Sequence, residues 1–123
     1  MRLSRRRFER LVAEALEGIP EEIRRRMDNV EVVVEDWPTR EQLASVDLGD
    51  EDLLFGLYEG VPLIERGITA SPILPDKITI FQGPLLEACE TEAEITEEVR
   101  RTVVHEVAHH FGLGEDEIAR LGY

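Results

Sequence analysis

The sequence predicts an α+β domain in which a small mixed sheet packs against one long helix. Three observations support this class. An amphipathic helical pattern opens the chain, β-branched segments typical of strands fill its middle, and a long helical pattern lies near its end. The 123 residues contain no internal repeat and no linker, so we expect a single domain over residues 1–123.

The first element is a helix over residues 4–17, where apolar side chains recur at intervals of three and four. Gly18 and Pro20 are expected to end it. Proline suits the first position of a helix, so a short helical turn is predicted over residues 21–27.

The middle of the chain alternates short apolar or β-branched runs with segments rich in proline and glycine. These runs predict, in order, a strand over 30–34, a short helix over 39–43, a hairpin or bent strand over 53–58 and 61–64, a loop over 68–75, a strand over 77–81 and a short helix over 84–89.

The clearest element is a helix from about Glu92 to Phe111. Thr91 and Glu94 have the spacing of a capping box, in which each side chain satisfies a backbone donor at the helix start. Gly112 stands where a helix favours a left-handed residue, and a short helix is predicted over 115–121. An apolar spine at every fourth position marks the buried face: Ile95, Val99, Val103 and Val107.

The end of this helix carries the sequence His105-Glu106-Val107-Ala108-His109. Positions four apart lie on one helix face, so both imidazoles can reach one zinc ion at about 2.0–2.1 Å. Glu106 is turned about 100° around the axis and lies beside the ion. It is therefore the candidate general base for a water activated by the metal. His110 is turned away from His109, and we expect a packing or capping residue there.

Two histidines leave a hydrolytic zinc site one protein ligand short. Glu115 is the preferred third ligand, because the spacing from His105 matches the pattern H-E-x-x-H-x-x-G-x-x-H with Glu in the last place. Asp116 and Glu117 are close competitors. A glycine at position 112 would let the chain reverse and bring any of the three back to the ion.

Composition excludes several classes of partner. The net charge of -13 disfavours nucleic acid and anionic membrane surfaces, both of which attract clustered positive charge. No stretch approaches the roughly 20 apolar residues of a spanning helix. Cys89 is the only cysteine, so an internal disulfide is impossible and the cytoplasm is the expected compartment.

Nearly the whole chain resembles the small bacterial zinc metallopeptidases of the minimal zincin type, described as having a matrix-metalloprotease-like domain. The stretches that carry the resemblance are Arg7-Phe8-Glu9, Val12–Leu16, Asn29–Asp36, Gly56–Leu63, Leu74–Ile80, Gly83-Pro84-Leu85 and Val103–Gly112.

The resemblance implies a zincin-like fold, one zinc ion, ligands at His105 and His109, and a catalytic Glu106. Aspartate is common in such proteins at the position of Glu115, so this chain has a longer side chain there. Metzincins place a methionine turn after the zinc motif. Both methionines of this chain lie before it, and the resemblance is therefore to zincins without that turn.

The function expected from these residues is zinc-dependent hydrolysis of peptide bonds in a peptide or protein substrate. A zinc-binding interaction module with little or no turnover is the alternative, and a metal-free protein with structural histidines is the third possibility. Intact Glu106 argues against the second, because a structural zinc needs no base. Tyr58 and Tyr123 are equal candidates for stabilising an oxyanion, and core packing is an ordinary role for either.

Overall fold

The computed structural model describes residues 1–46, 53–60 and 75–123. The helices of these ranges are α1 (Arg5–Glu17), α2 (Glu21–Arg24), α3 (Arg40–Ser45), α4 (Gln82–Ala88), α5 (Glu92–His110) and α6 (Glu115–Arg120), and a 3₁₀ turn covers Arg25–Met27. The strands are β1 (Val30–Glu35), β2 (Gly56–Glu59) and β3 (Asp76–Phe81). The predicted second arm of the hairpin, 61–64, and most of the predicted loop, 68–74, lie outside the described residues.

The three described strands form one mixed sheet in the order β1-β3-β2. β1 runs parallel to β3, and β2 runs antiparallel to it. In this register Val32, Ile78 and Tyr58 lie side by side across the sheet. Alternate residues of a strand point to opposite faces, so these three side chains share one face of the sheet.

That face packs on α1 and α5, which confirms the predicted α+β class. The predicted apolar spine of α5 is fully buried, as are Ile78 and Ile80 of β3. The residues that α1 buries are Phe8, Leu11, Val12 and Ala15. Part of the opposite face of the sheet is also covered, since Leu57, Thr79 and Phe81 are buried there.

The start of α5 differs in one detail from the predicted capping box. The Thr91 hydroxyl accepts the Glu94 N–H at 3.1 Å, as expected. The Glu94 carboxylate instead accepts the Thr91 hydroxyl at 3.3 Å and the main-chain N–H of Glu90 at 3.5 Å. A reciprocal box does form at α3, between Thr39 and Gln42.

Two arginines from later in the chain donate hydrogen bonds to carbonyl oxygens at the C-terminal end of α1. Arg24 donates to the carbonyl oxygens of Leu16 and Glu17, at 3.0 and 2.8 Å. Arg100 of α5 donates from Nε to the Ala15 carbonyl at 3.3 Å. Its guanidinium lies over Gly18, where an added Cβ would come within 2.6 Å of Arg100 Nε. A Cβ at position 18 would therefore displace the Arg100 guanidinium, the far end of a long and flexible side chain.

In the parts of the chain that the structure describes, no helix combines the length and apolar character needed to cross a membrane.

Candidate active site

The last turns of α5 carry both histidines of the motif on one face of the helix. The ring centroids of His105 and His109 are 5.7 Å apart, and the two rings are nearly perpendicular. His105 is partly buried, whereas His109 is exposed, with about half of its side chain open to solvent. Positions four apart on a helix therefore place these imidazoles as neighbours at the protein surface.

The chain reverses immediately after α5 through a Schellman motif. Leu113 N–H donates to the Ala108 carbonyl at 2.8 Å, and Gly112 N–H donates to the His109 carbonyl at 3.2 Å. Gly112 has a φ of 76°, the left-handed conformation that glycine adopts without a Cβ clash. The predicted reversal is present, and it brings the start of α6 back towards His109.

Glu115 is the acidic residue that this reversal brings to the motif. Its Oε1 lies 3.3 Å from Nε2 of His109. Two donors bound at about 2.0–2.1 Å to a tetrahedral zinc ion are roughly 3.3 Å apart, so this pair has the spacing of two ligands of one ion. Asp116 and Glu117, the competitors in the sequence, are exposed on the same first turn of α6.

His105 makes a different contact. Its Nε2 lies 3.1 Å from the main-chain oxygen of Tyr123. An imidazole nitrogen that donates a proton cannot also ligate a metal ion, so binding through Nε2 would replace this hydrogen bond. The backbone of Tyr123 therefore lies at the motif, whichever role its hydroxyl has.

The donor set fits zinc by its chemistry and in part by its spacing. Two histidines and one glutamate are a ligand set of hydrolytic zinc sites. The spacing of His109 and Glu115 suits two ligands of one ion, and zinc would replace the hydrogen bonds that Nε2 of His109 makes to Glu115 and Nε2 of His105 makes to Tyr123. Within residues 1–46, 53–60 and 75–123, no three His, Cys, Asp or Glu side chains are already grouped closely enough to enclose an ion.

Glu106 lies beside these residues and has a partner that sequence patterns did not indicate. The main-chain N–H of Tyr58, in β2, donates to Oε1 of Glu106 at 2.8 Å. The contact joins residues 48 positions apart, and Glu106 is half-buried where β2 packs on α5. Almost any residue type can supply a main-chain N–H, so no sequence motif could have identified this contact.

A compact polar cluster surrounds the side chain of Tyr58. Its ring stacks on that of His110, with centroids 3.9 Å apart and an interplanar angle of 19°. Its hydroxyl donates to Oδ2 of Asp76 at 2.5 Å, and Nε2 of His110 lies 3.8 Å from the same oxygen. His110, at the end of α5, therefore contacts the sheet while about 40% of its side chain stays exposed, and Asp76, the first residue of β3, completes the cluster.

The comparisons with known proteins bear on the family and the fold of the chain. The family model described as zincin-like metallopeptidase matches residues 27–123. A solved structure of a conserved hypothetical protein from Thermus thermophilus has a similar fold, with a TM-score of 0.56 and 24% identity over 89% of this chain and 94% of that one. No curated protein matches the sequence. The family match spans most of the chain, and the protein belongs to the zincin-like metallopeptidase family.

Proposed function

We propose that this protein is a zinc-dependent peptidase in which Glu106 is the general base. The observation that carries the proposal is the placement of the Glu106 carboxylate. It is held at 2.8 Å by a main-chain donor, beside the helix face that presents His105 and His109. The family of the chain supports the same reaction class.

One zinc ion would be held by His105, His109 and Glu115. The contact between His109 and Glu115 supports the choice of Glu115 over Asp116 and Glu117. The nearby acidic first turn of α6 also favours a cation. When bound, zinc would polarise the substrate carbonyl and lower the pKa of water towards about 7.

Glu106 performs the proton transfers. A carboxylate has lone pairs on two oxygens, so the hydrogen bond from Tyr58 to Oε1 leaves Oε2 able to accept a proton from the attacking water. The same carboxyl group then donates this proton to the amine that leaves. The half-buried position of Glu106 limits competition from bulk water for that proton.

The substrate would be a peptide or protein. Both His109 and Glu115 are exposed, so an extended chain can approach the ligand face from solvent.

Burial raises the pKa of the Cys89 thiol, which keeps it protonated and argues against a thiolate nucleophile. We place the protein in a reducing compartment such as the cytoplasm, where an unpaired cysteine is ordinary.

Metal analysis of purified protein tests the site. We expect about one zinc per chain by mass spectrometry in the wild type and in Glu106→Gln, and loss of zinc in His105→Ala and His109→Ala. Retention of zinc by either histidine variant would refute that ligand. No zinc in the wild type, even after it is supplied, would leave the histidines with a structural role only.

Cleavage of a peptide library tests the activity. The wild type should cleave, and Glu106→Gln should not, although it retains the metal. Zinc binding without cleavage by the wild type would instead support the alternative function, a metal-binding interaction module.

A further inference from the structure

We propose that Tyr58 and Asp76 are positioning residues, which fix the Glu106 carboxylate through the backbone of β2. This inference rests on the proposed role of Glu106 as the base. It assigns a task to two residues outside the metal-binding motif, on the sheet that packs against α5.

The first step of the argument is the link between strand and helix. Tyr58 lies on β2, in register with Ile78 of β3, on the face of the sheet that packs against α5. Its N–H donates to Glu106 Oε1 at 2.8 Å. The position of β2 therefore decides where the acceptor oxygen of Glu106 lies.

The second step is what fixes Tyr58. Its hydroxyl donates to Asp76 at 2.5 Å, and its ring is stacked on His110. Asp76 is 9% exposed and belongs to β3, the central strand of the described sheet. A charge-assisted hydrogen bond to a buried carboxylate is among the stronger polar contacts in a protein. Tyr58 is thus held through its N–H, its ring and its hydroxyl.

The third step is the requirement of the chemistry. A general base must lie within about 2.6–3.2 Å of the proton that it removes. A free glutamate side chain samples several rotamers, whereas one held at Oε1 presents Oε2 in a defined direction. A misplacement of about 1 Å can lower the rate roughly 100-fold.

The same contacts bear on the oxyanion role considered for the Tyr58 hydroxyl. A phenol has a single proton, and here that proton is donated to Asp76. An oxyanion donor must direct its proton at the developing charge instead. The observed hydrogen bond therefore favours positioning.

The first experiment measures the hydrogen bond directly, by ¹H–¹⁵N NMR of the metal-free full-length protein. The amide of residue 58 should move upfield in Glu106→Ala, which removes the acceptor. It should move in the same direction in Asp76→Ala, and return most of the way in Asp76→Asn, which keeps an acceptor for the hydroxyl. In Tyr58→Phe the amide of residue 58 should exchange faster with solvent.

The matched control is Thr79→Val. Thr79 is buried on the opposite face of β3, and its hydroxyl has no partner among the described residues. This variant removes a hydroxyl from the same sheet without touching the cluster, so the amide of residue 58 should not move. An amide shift unmoved by Glu106→Ala would overturn the inference. So would an amide shift unmoved in Asp76→Ala together with wild-type solvent exchange in Tyr58→Phe.

The second experiment separates positioning from a purely structural role. Tyr58→Phe should lower kcat about tenfold, with KM and zinc content unchanged, because only the placement of the base is disturbed. Thr79→Val should retain wild-type kcat. A lower kcat in Tyr58→Phe with wild-type exchange at residue 58 would indicate an oxyanion donor and overturn positioning. A wild type without peptidase activity would refute the proposed function. The NMR experiment would still test whether Tyr58 and Asp76 fix the placement of Glu106.

Discussion

Arg7 of α1 binds the carboxylate of Glu92, the first residue of α5, through two parallel hydrogen bonds. Nε donates to Oε2 at 3.1 Å and Nη2 donates to Oε1 at 2.5 Å. The two residues are 85 positions apart, so this fork fastens the start of the motif-bearing helix to the first helix. The hydrogen bond from Arg7 holds the pKa of Glu92 below its ordinary value.

This pair predicts a pH-dependent stability. Because the folded-state pKa of Glu92 is lowered, ionised Glu92 stabilises the fold above its unfolded pKa of about 4.3, and this contribution is lost as the pH falls through the folded pKa. We expect Glu92→Gln to lower the Tm slightly at pH 7. The difference from wild type should disappear at acid pH.

Thermal unfolding followed by circular dichroism from pH 7 down to pH 3 measures this effect. Glu87→Gln, on the exposed face of α4, is the control and should track the wild type throughout. A Glu92→Gln deficit that stays constant over the whole range would show that the charge of Glu92 is not the cause.

The proposed third ligand is tested by zinc affinity. Glu115→Ala should weaken zinc binding at least about tenfold, a loss reached even by changes to residues that only support ligands. Asp116→Ala, a neighbouring exposed acid, should have little effect. Glu115→Asp should retain much of the affinity, since aspartate keeps the carboxylate. Competition with a chelator measures all three, and the reverse order of the two alanine variants would move the ligand to Asp116.

The left-handed conformation of Gly112, after α5, leads to a further prediction. Gly112→Ala should destabilise the protein by about 1–2 kcal/mol, the penalty of an L side chain at positive φ. It should also weaken zinc binding, because α6 and Glu115 follow that turn. Gly114→Ser, two residues later with a φ of -80° and open space around it, is the control. Urea unfolding gives the stability, and equal losses in both variants would exclude a special role for the conformation of Gly112.

Local patterns were enough to predict most of the fold. The long helix, its end at Gly112 and the strand at 77–81 follow from spacing and turn chemistry alone, and all three are present. Several boundaries differ by one to three residues, and the largest differences are that α3 ends at Ser45 instead of Leu43, α4 begins at Gln82 instead of Pro84 and β2 begins at Gly56 instead of Leu53. Short elements depend on tertiary packing, so local propensity places their ends poorly.

The support around the base could not be predicted in the same way. His105, Glu106 and His109 form a local motif, and one helix is enough to place them together. Tyr58 reaches Glu106 only because β2 pairs with β3 and the sheet packs on α5. The contact between Tyr58 and Glu106 depends on strand order and register, and neither can be read from a single sequence.

The way in which α1 ends has a consequence for the newly made chain. Its last turn contains no basic residue, and its final carbonyl groups accept hydrogen bonds from Arg24 and Arg100 in addition to those from the main chain. A helix of 13 residues is marginal by itself in water. Arg100 is made 85 residues after Ala15, which at about 5–20 residues per second is roughly 4–17 s of synthesis. During that interval the apolar face of α1 has no α5 to cover it, so α1 can complete its packing only late in synthesis.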